Sequence, residues 1–206
     1  MGYRDRAEAG ARLAEMLHTL GLKRPLVLGI PRGGVPVAAE VARALDGELD
    51  IVLVHKLGAP GNPEFAVGAV NEHGEWFLDP RVAGWLSTET AAAEAGRQAQ
   101  ALRARRERYG RAPAAIAGRD VVVVDDGSAT GATMAAALRL LKSQHPARLV
   151  AAVGVAPPDA ISRLESEVAD VVCPLVQRDF MAVGQFFRDF GQVDDATVMA
   201  LLQRQE

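Results

Sequence analysis

A single cysteine, Cys173, leaves no partner for a disulfide, so the fold has to be held by its core. Lysine is nearly absent: Lys23, Lys56 and Lys142 are the only three, and arginine carries the remaining positive charge. No apolar run approaches the ~20 residues of a membrane span. The opening Met1–Arg6 has no apolar core of a signal peptide, and the expectation is a cytoplasmic protein. The four histidines are scattered, without the spacing of a zinc site. A net charge of −3 argues against a general nucleic-acid binder and leaves room only for a local basic patch. What is present is ordinary for a globular chain: 49% hydrophobic and 24% charged over 206 residues, enough for one domain with a sizeable core.

Hydrophobic periodicity gives the organisation. Arg4–Leu20 has helical spacing and stops at Gly21; Leu26–Ile30, between two prolines, reads as a buried strand. Val35–Leu45 reads as a helix closed by Asp46 and Gly47, and Ile51–Val54 as the second strand. Phe65–Val70 and Glu75–Leu78 suggest a hairpin, and Ser87–Tyr109 one long helix with Ser87 or Thr88 as its cap. Val121–Val124, Leu149–Val155 and Val171–Leu175 complete five strands, with helices after the first two of these. Strands alternating with helices predict an α/β fold around a doubly wound, mostly parallel five-stranded sheet. Residues 57–119 are too long for a simple crossover and are read as an insertion containing a Gly/Pro-rich loop at 58–63, the hairpin and the long helix.

The richest segment follows Val121–Val124. Asp125 and Asp126 end the strand; Gly127, Ser128, Ala129, Thr130, Gly131, Ala132 and Thr133 form a small-residue loop; a helix-like stretch begins at Met134. Nearly bare backbone before a helix N-terminus lets N–H groups turn towards an anion, with the helix dipole adding to the attraction. Thr130 and Thr133 add hydroxyl donors. Two carboxylates one step earlier are suited to sugar hydroxyls, so the segment describes a sugar phosphate site. The Gly-Lys-Ser/Thr ending of a nucleotide P-loop is missing, as is the dinucleotide Gly-x-Gly-x-x-Gly. Ser128 does not sit in a Gly-x-Ser-x-Gly nucleophile elbow.

A hydrophobic strand, two acids, three variable positions and Thr-Gly-x-Thr resemble the phosphoribosyl-pyrophosphate loop of type I phosphoribosyltransferases. The resemblance implies a Rossmann-like transferase of nucleotide metabolism, a glycosyltransferase that moves phosphoribosyl from its pyrophosphate to a small nitrogenous base. It implies Mg2+ as cofactor, reached by Asp125 and Asp126 indirectly, through substrate or water. It also makes the 57–119 insertion a lid with a movable segment at 58–63, and implies a hood that residues 176–206 would supply and a homodimer. Pro31, Arg32, Gly33 and Gly34, between the first strand and a helix, resemble the family's pyrophosphate loop, where Arg32 would fork onto phosphate oxygens. Lys56, read as the carboxyl end of the second strand, matches a place where members carry a cation. Asp125, Asp126, Arg32 and Lys56 are therefore the candidate catalytic residues, and the two loops with Lys56 the substrate-binding set. His55 is read as a structural histidine.

One departure narrows the acceptor. Members acting on 6-oxopurines carry a carboxylate just before the Thr-Gly pair, where this chain has Ala129, so hypoxanthine–guanine salvage is disfavoured. Glu64 or Glu72 would then be a base from the insertion. Phe186, Phe187 and Phe190 could stack on an acceptor ring or pack the C-terminal segment, with packing preferred, and Asp194 and Asp195 read as a helix cap. Arg97, Arg103, Arg105, Arg106, Arg108 and Arg111 read first as a solvated helix face, with a subunit interface or an RNA contact as the alternatives. A non-catalytic regulator that senses phosphoribosyl pyrophosphate or a nucleotide on the same fold is the alternative function.

Overall fold

The computed structural model describes residues 2–59, 62–80 and 86–204, with the side chains of 63–65 left out of the description. The chain divides into two compact units, residues 1–52 with 113–206, and residues 53–112.

The first unit is built on a parallel sheet of β1 (Leu26–Gly29), β2 (Glu48–Ile51), β6 (Asp120–Asp125), β7 (Arg148–Val153) and β9 (Asp170–Val172), in the order β2-β1-β6-β7-β9. Val121, Val122, Val123 and Val124 of β6 are fully buried, as β-branched residues covered on both faces should be. The order reverses between β1 and β6, so the chain leaves these neighbouring strands in opposite directions, and the crevice at their carboxyl ends is the place for a ligand. α1 (Arg6–His18) packs on α2 (Gly34–Ala44), which lies against β1 and β6. α4 (Ala132–Lys142) covers β6 and β7 and meets α5 (Pro158–Glu165). α6 (Asp195–Gln203) rests on α2. A two-stranded ladder joins β8 (Val155–Ala156) to β10 (Leu175–Val176).

Caps account for several boundaries. Asp5 accepts a bond from the Glu8 amide at 2.9 Å to start α1, and Asp194 does the same for Thr197 at 2.8 Å to start α6, as its sequence suggests. The second strand differs from expectation: it runs over Glu48–Ile51 rather than 51–54. Its polar residues disguised it, because Asp50 is buried with its carboxylate taking the Ile51 and Ala114 amides at 2.8 and 2.9 Å. The parallel sheet is then left at Val52, whose amide bonds to Gly29 at 3.1 Å.

In the second unit β3 (Val54–Ala59), β4 (Asn62–Asn71) and β5 (Trp76–Leu78) form an antiparallel sheet, and α3 (Thr88–Tyr109) packs on all three strands. The expected hairpin is β4–β5, and β3 is an added strand. Ser87 caps α3 through the Thr90 amide at 3.2 Å, and Gly110 closes it at φ 72°. Ala91, Ala95, Ala99, Leu102, Arg106 and Tyr109 are the buried stripe of α3, at spacings of three and four. Arg106 therefore points inward, and this corrects the reading of a uniformly solvated arginine face. Its guanidinium forks onto both Glu72 oxygens at 2.7 and 2.6 Å, and Arg103 donates to the Glu72 carbonyl at 3.1 Å. Of the loop expected at 58–63, Pro60 and Gly61 lie outside the described residues. No helix among the described residues is long and apolar enough to cross a membrane.

Candidate active site

Both glycine-containing turns leave the parallel sheet at its carboxyl edge, one after β1 and one after β6. In the first, the Gly34 amide returns to Ile30 at 3.0 Å and the Val35 amide to Arg32 at 3.2 Å, which winds the chain directly into α2. The amides of Arg32 and Gly33 keep no internal acceptor, and no side chain caps the helix. The Pro31–Arg32 peptide is cis. Side chains are excluded here by contact: a methyl on Gly33 would overlap the Asp126 carboxylate, and one on Gly34 would lie 2.6 Å from the Val124 carbonyl. Arg32 is half-exposed, 3.9 Å from Asp195.

The second turn is looser. Ser128 anchors it by donating its amide to Val155 at 2.9 Å, while the Ser128 and Thr130 hydroxyls accept from the Gly131 and Ala132 amides at 3.0 and 3.3 Å. Both hydroxyls are on rotatable side chains that an anion can displace. The amides of Ala129, Thr130 and Thr133 have no acceptor among the described residues, and Ala129 and Thr130 are exposed. Gly131 takes φ 70° as the cap of α4, a conformation that side chains resist, and no side chain at that position caps the helix. The amides of Ala129, Thr130 and Thr133 therefore lie at the positive end of α4.

The two acids differ. Asp125 accepts from the Asp126 amide at 2.9 Å. Burial, and then the neighbouring negative charge of Asp126, push its carboxyl well above the usual range. Asp126 is 7% exposed, and one of its oxygens takes the Nε of Arg6 at 2.8 Å. Arg6 also donates to the Gly191 carbonyl at 2.8 Å and lies 3.9 Å over the Phe190 ring. Arg6, Arg32, Gly33, Asp126 and residues 190–193 line an open cleft of about 460 Å³. Phe187 is turned away from it, buried with Tyr3, Ala9 and Val155, so packing explains that aromatic.

No group of three or more His, Cys, Asp or Glu side chains among the described residues is placed to hold a metal ion. The paired acids nevertheless suit a divalent cation, because a positive charge there would offset the burial and the neighbouring Asp126 charge that raise the Asp125 carboxyl.

Asp125, Asp126, both turns and Arg32 thus fall within the first unit. Lys56 does not extend β2: it is exposed on β3 of the second unit, paired in register with Ala69. Glu72, with both oxygens on Arg106, is no free base, and the Glu64 side chain lies outside the described residues. Arg6 was missed. It is 120 residues from its partner and sits in a charged helix start that reads as solvent-facing.

Comparison with known proteins identifies the family. A family model described as the phosphoribosyl transferase domain matches residues 4–187. A protein carrying the name phosphoribosyl transferase in two strains of Mycobacterium tuberculosis is 42% identical over 206 residues, covering 98% of this chain. The match takes up 46% of that relative, so the chain spans about half the length of the curated relatives it matches. TT1426 from Thermus thermophilus superposes with a TM-score of 0.93 at 54% identity, covering 100% of this chain and 99% of the other. The purine phosphoribosyltransferase from Pyrococcus horikoshii shares the fold at a TM-score of 0.53 and 17% identity, with 94% and 96% of the two chains covered. The chain belongs to the phosphoribosyl transferase domain family.

Proposed function

We propose that this domain transfers phosphoribosyl from phosphoribosyl pyrophosphate to a nitrogenous base, outside hypoxanthine–guanine salvage. The observation that carries the reading is the set of unpartnered amides at Ala129, Thr130 and Thr133, at the start of α4 and in the turn that follows an acidic pair. Those amides hold the 5′-phosphate. Asp125 and Asp126 accept from the ribose hydroxyls, and their charge favours the oxocarbenium-like sugar as the anomeric bond breaks. The amides of Arg32 and Gly33 with the Arg32 guanidinium receive the departing pyrophosphate. Mg2+, when bound, supplies further neutralisation of that leaving group. Assignment of Lys56 to pyrophosphate, and of a homodimer, rests on the resemblance. With both ends of the substrate fixed, positioning and preorganised charge provide most of the acceleration.

Ala129 is exposed and offers no carboxylate at the point where 6-oxopurine enzymes have one. The regulator reading draws less support, because Arg106 is buried on the Glu72 carboxylate and does not contribute to a basic face for RNA. The test is pyrophosphate release from phosphoribosyl pyrophosphate and Mg2+ with a panel of purines, pyrimidines and pyridine bases. Release with one class of base supports the transferase. Tight binding of phosphoribosyl pyrophosphate without release for any base replaces it with the regulator.

A further inference from the structure

Arg6 makes three contacts at once, each to a different part of the cleft. Its Nε is 2.8 Å from Asp126 Oδ2, its Nη1 donates to the Gly191 carbonyl at 2.8 Å, and its guanidinium plane covers Phe190 at 3.9 Å from the ring centre. The side chain is only 13% exposed and its carboxylate partner 10%, so neither is free to swing. The same Asp126 oxygen lies closest to Gly33, where even a methyl group would not fit. The second acid is therefore held at the first glycine turn by a cation from the first residue of α1. Gly191 and Phe190 belong to a segment with no helix or strand of its own, between the short 3-10 helix Val183–Phe186 and α6. A fork that must satisfy a carboxylate, a carbonyl and an aromatic face is specific to arginine; lysine supplies one compact charge.

We propose that Arg6 is a positioning residue that couples the sugar-binding acid to the far wall of the cleft. Through Asp126 it fixes the carboxylate offered to the ribose, and through Gly191 and Phe190 it holds the 190–193 wall against which an acceptor base is received. The inference rests on the transferase reading for its substrates, but the contacts stand independently of it.

Two substitutions in the full chain separate the functions. Arg6→Met removes charge and fork together, and the dissociation constant for phosphoribosyl pyrophosphate with Mg2+, read by calorimetry, rises by roughly 10-fold or more. Arg6→Lys keeps a cation beside Asp126 but loses the carbonyl and the ring. Its phosphoribosyl pyrophosphate constant stays within about 3-fold of wild type, while the KM for the acceptor base rises roughly 10-fold with kcat little changed. If no base turns over, amide exchange of residues 191–193 replaces the KM, and it quickens in Arg6→Lys. If Arg6→Met does not fold, Arg6→Lys alone carries the test. The proposal is overturned if folded Arg6→Met binds within twofold of wild type, or if Arg6→Lys leaves acceptor KM and 191–193 exchange unchanged. Wild-type protein that does not bind phosphoribosyl pyrophosphate at all defeats the functional reading instead.

Discussion

Two arginine–carboxylate pairs, one in each compact unit, have similar chemistry and opposite consequences. Arg106 and Glu72 are each 7% exposed, and the guanidinium meets both carboxylate oxygens. The pair is closed, and its work is to let a charged residue lie in the buried stripe of α3. Arg6 meets a single Asp126 oxygen and spends its other contacts on a carbonyl and a ring at the edge of a cleft. That pair is open, with room for a ligand at the acid. Counting salt bridges would equate them, whereas counting the oxygens left over separates structure from site.

The comparison breaks most readily at the closed pair. Arg106→Met leaves the Glu72 carboxylate buried without its partner and should lower the unfolding free energy by about 3–5 kcal/mol, measured by urea titration. A well-packed apolar pair in place of both residues should recover most of that loss. A loss below about 1 kcal/mol for the single change would mean that water reaches Glu72 and that the pair is not closed.

At the open pair the larger effect is on binding. Asp125→Asn with Asp126→Asn should weaken phosphoribosyl pyrophosphate roughly 10- to 100-fold or more, at about 1.5–3 kcal/mol for each charged hydrogen bond lost. Calorimetry with Mg2+ present reads it, and unchanged affinity removes these acids from the site.

A smaller effect has the opposite sign. The Asp125 carboxyl is raised by burial and then by the charge of Asp126. A carboxyl raised in the folded state favours folding fully below its unfolded value of about 3.9, and that contribution is lost as the pH climbs through the folded value. Without ligand, wild type should thus lose melting temperature relative to Asp125→Asn as the pH rises from about 4 through the raised folded value. Parallel melting curves across that range would show instead that Asp125 is solvated.

What was legible in the sequence follows the range of the interactions. Val121–Val124 announced a buried parallel strand, and the residues after it announced a small-residue turn into a helix, because strand burial, bare backbone and helix start are all local. Asp194 was readable as a cap for the same reason. The second strand was not, since Asp50 answers to Ala114, 64 residues away, and looks from its neighbours like a loop residue. Lys56 moved to β3 because the chain abandons the parallel sheet after Ile51, a decision made by pairing with β4 rather than by any residue at 51–56. Arg6 and Arg106 are alike in sequence, charged residues on amphipathic helices, and only the fold shows which oxygens they find.

The smallest effect concerns whether Arg6 acts alone or as part of an N-terminal segment that is pinned throughout. Tyr3 is 2% exposed, tilts on Phe187 with ring centres 5.1 Å apart, and donates its hydroxyl to the Gly154 carbonyl. Its amide bonds to Phe186 at 2.7 Å and its carbonyl takes the Arg188 amide at 2.9 Å, so the backbone pairing survives loss of the hydroxyl. Tyr3→Phe therefore removes one hydrogen bond, leaves the Gly154 carbonyl short of a donor, and should cost about 0.5–1.5 kcal/mol in urea unfolding. The Gly154 amide still holds the Asp125 carbonyl at 3.1 Å, so phosphoribosyl pyrophosphate should bind within about 2-fold of wild type. If Tyr3→Phe weakens binding as much as Arg6→Met does, the acid is set by the docking of the whole segment and not by the fork of one guanidinium. Stability lost at Tyr3 with affinity intact, beside affinity lost at Arg6, assigns the positioning to the arginine.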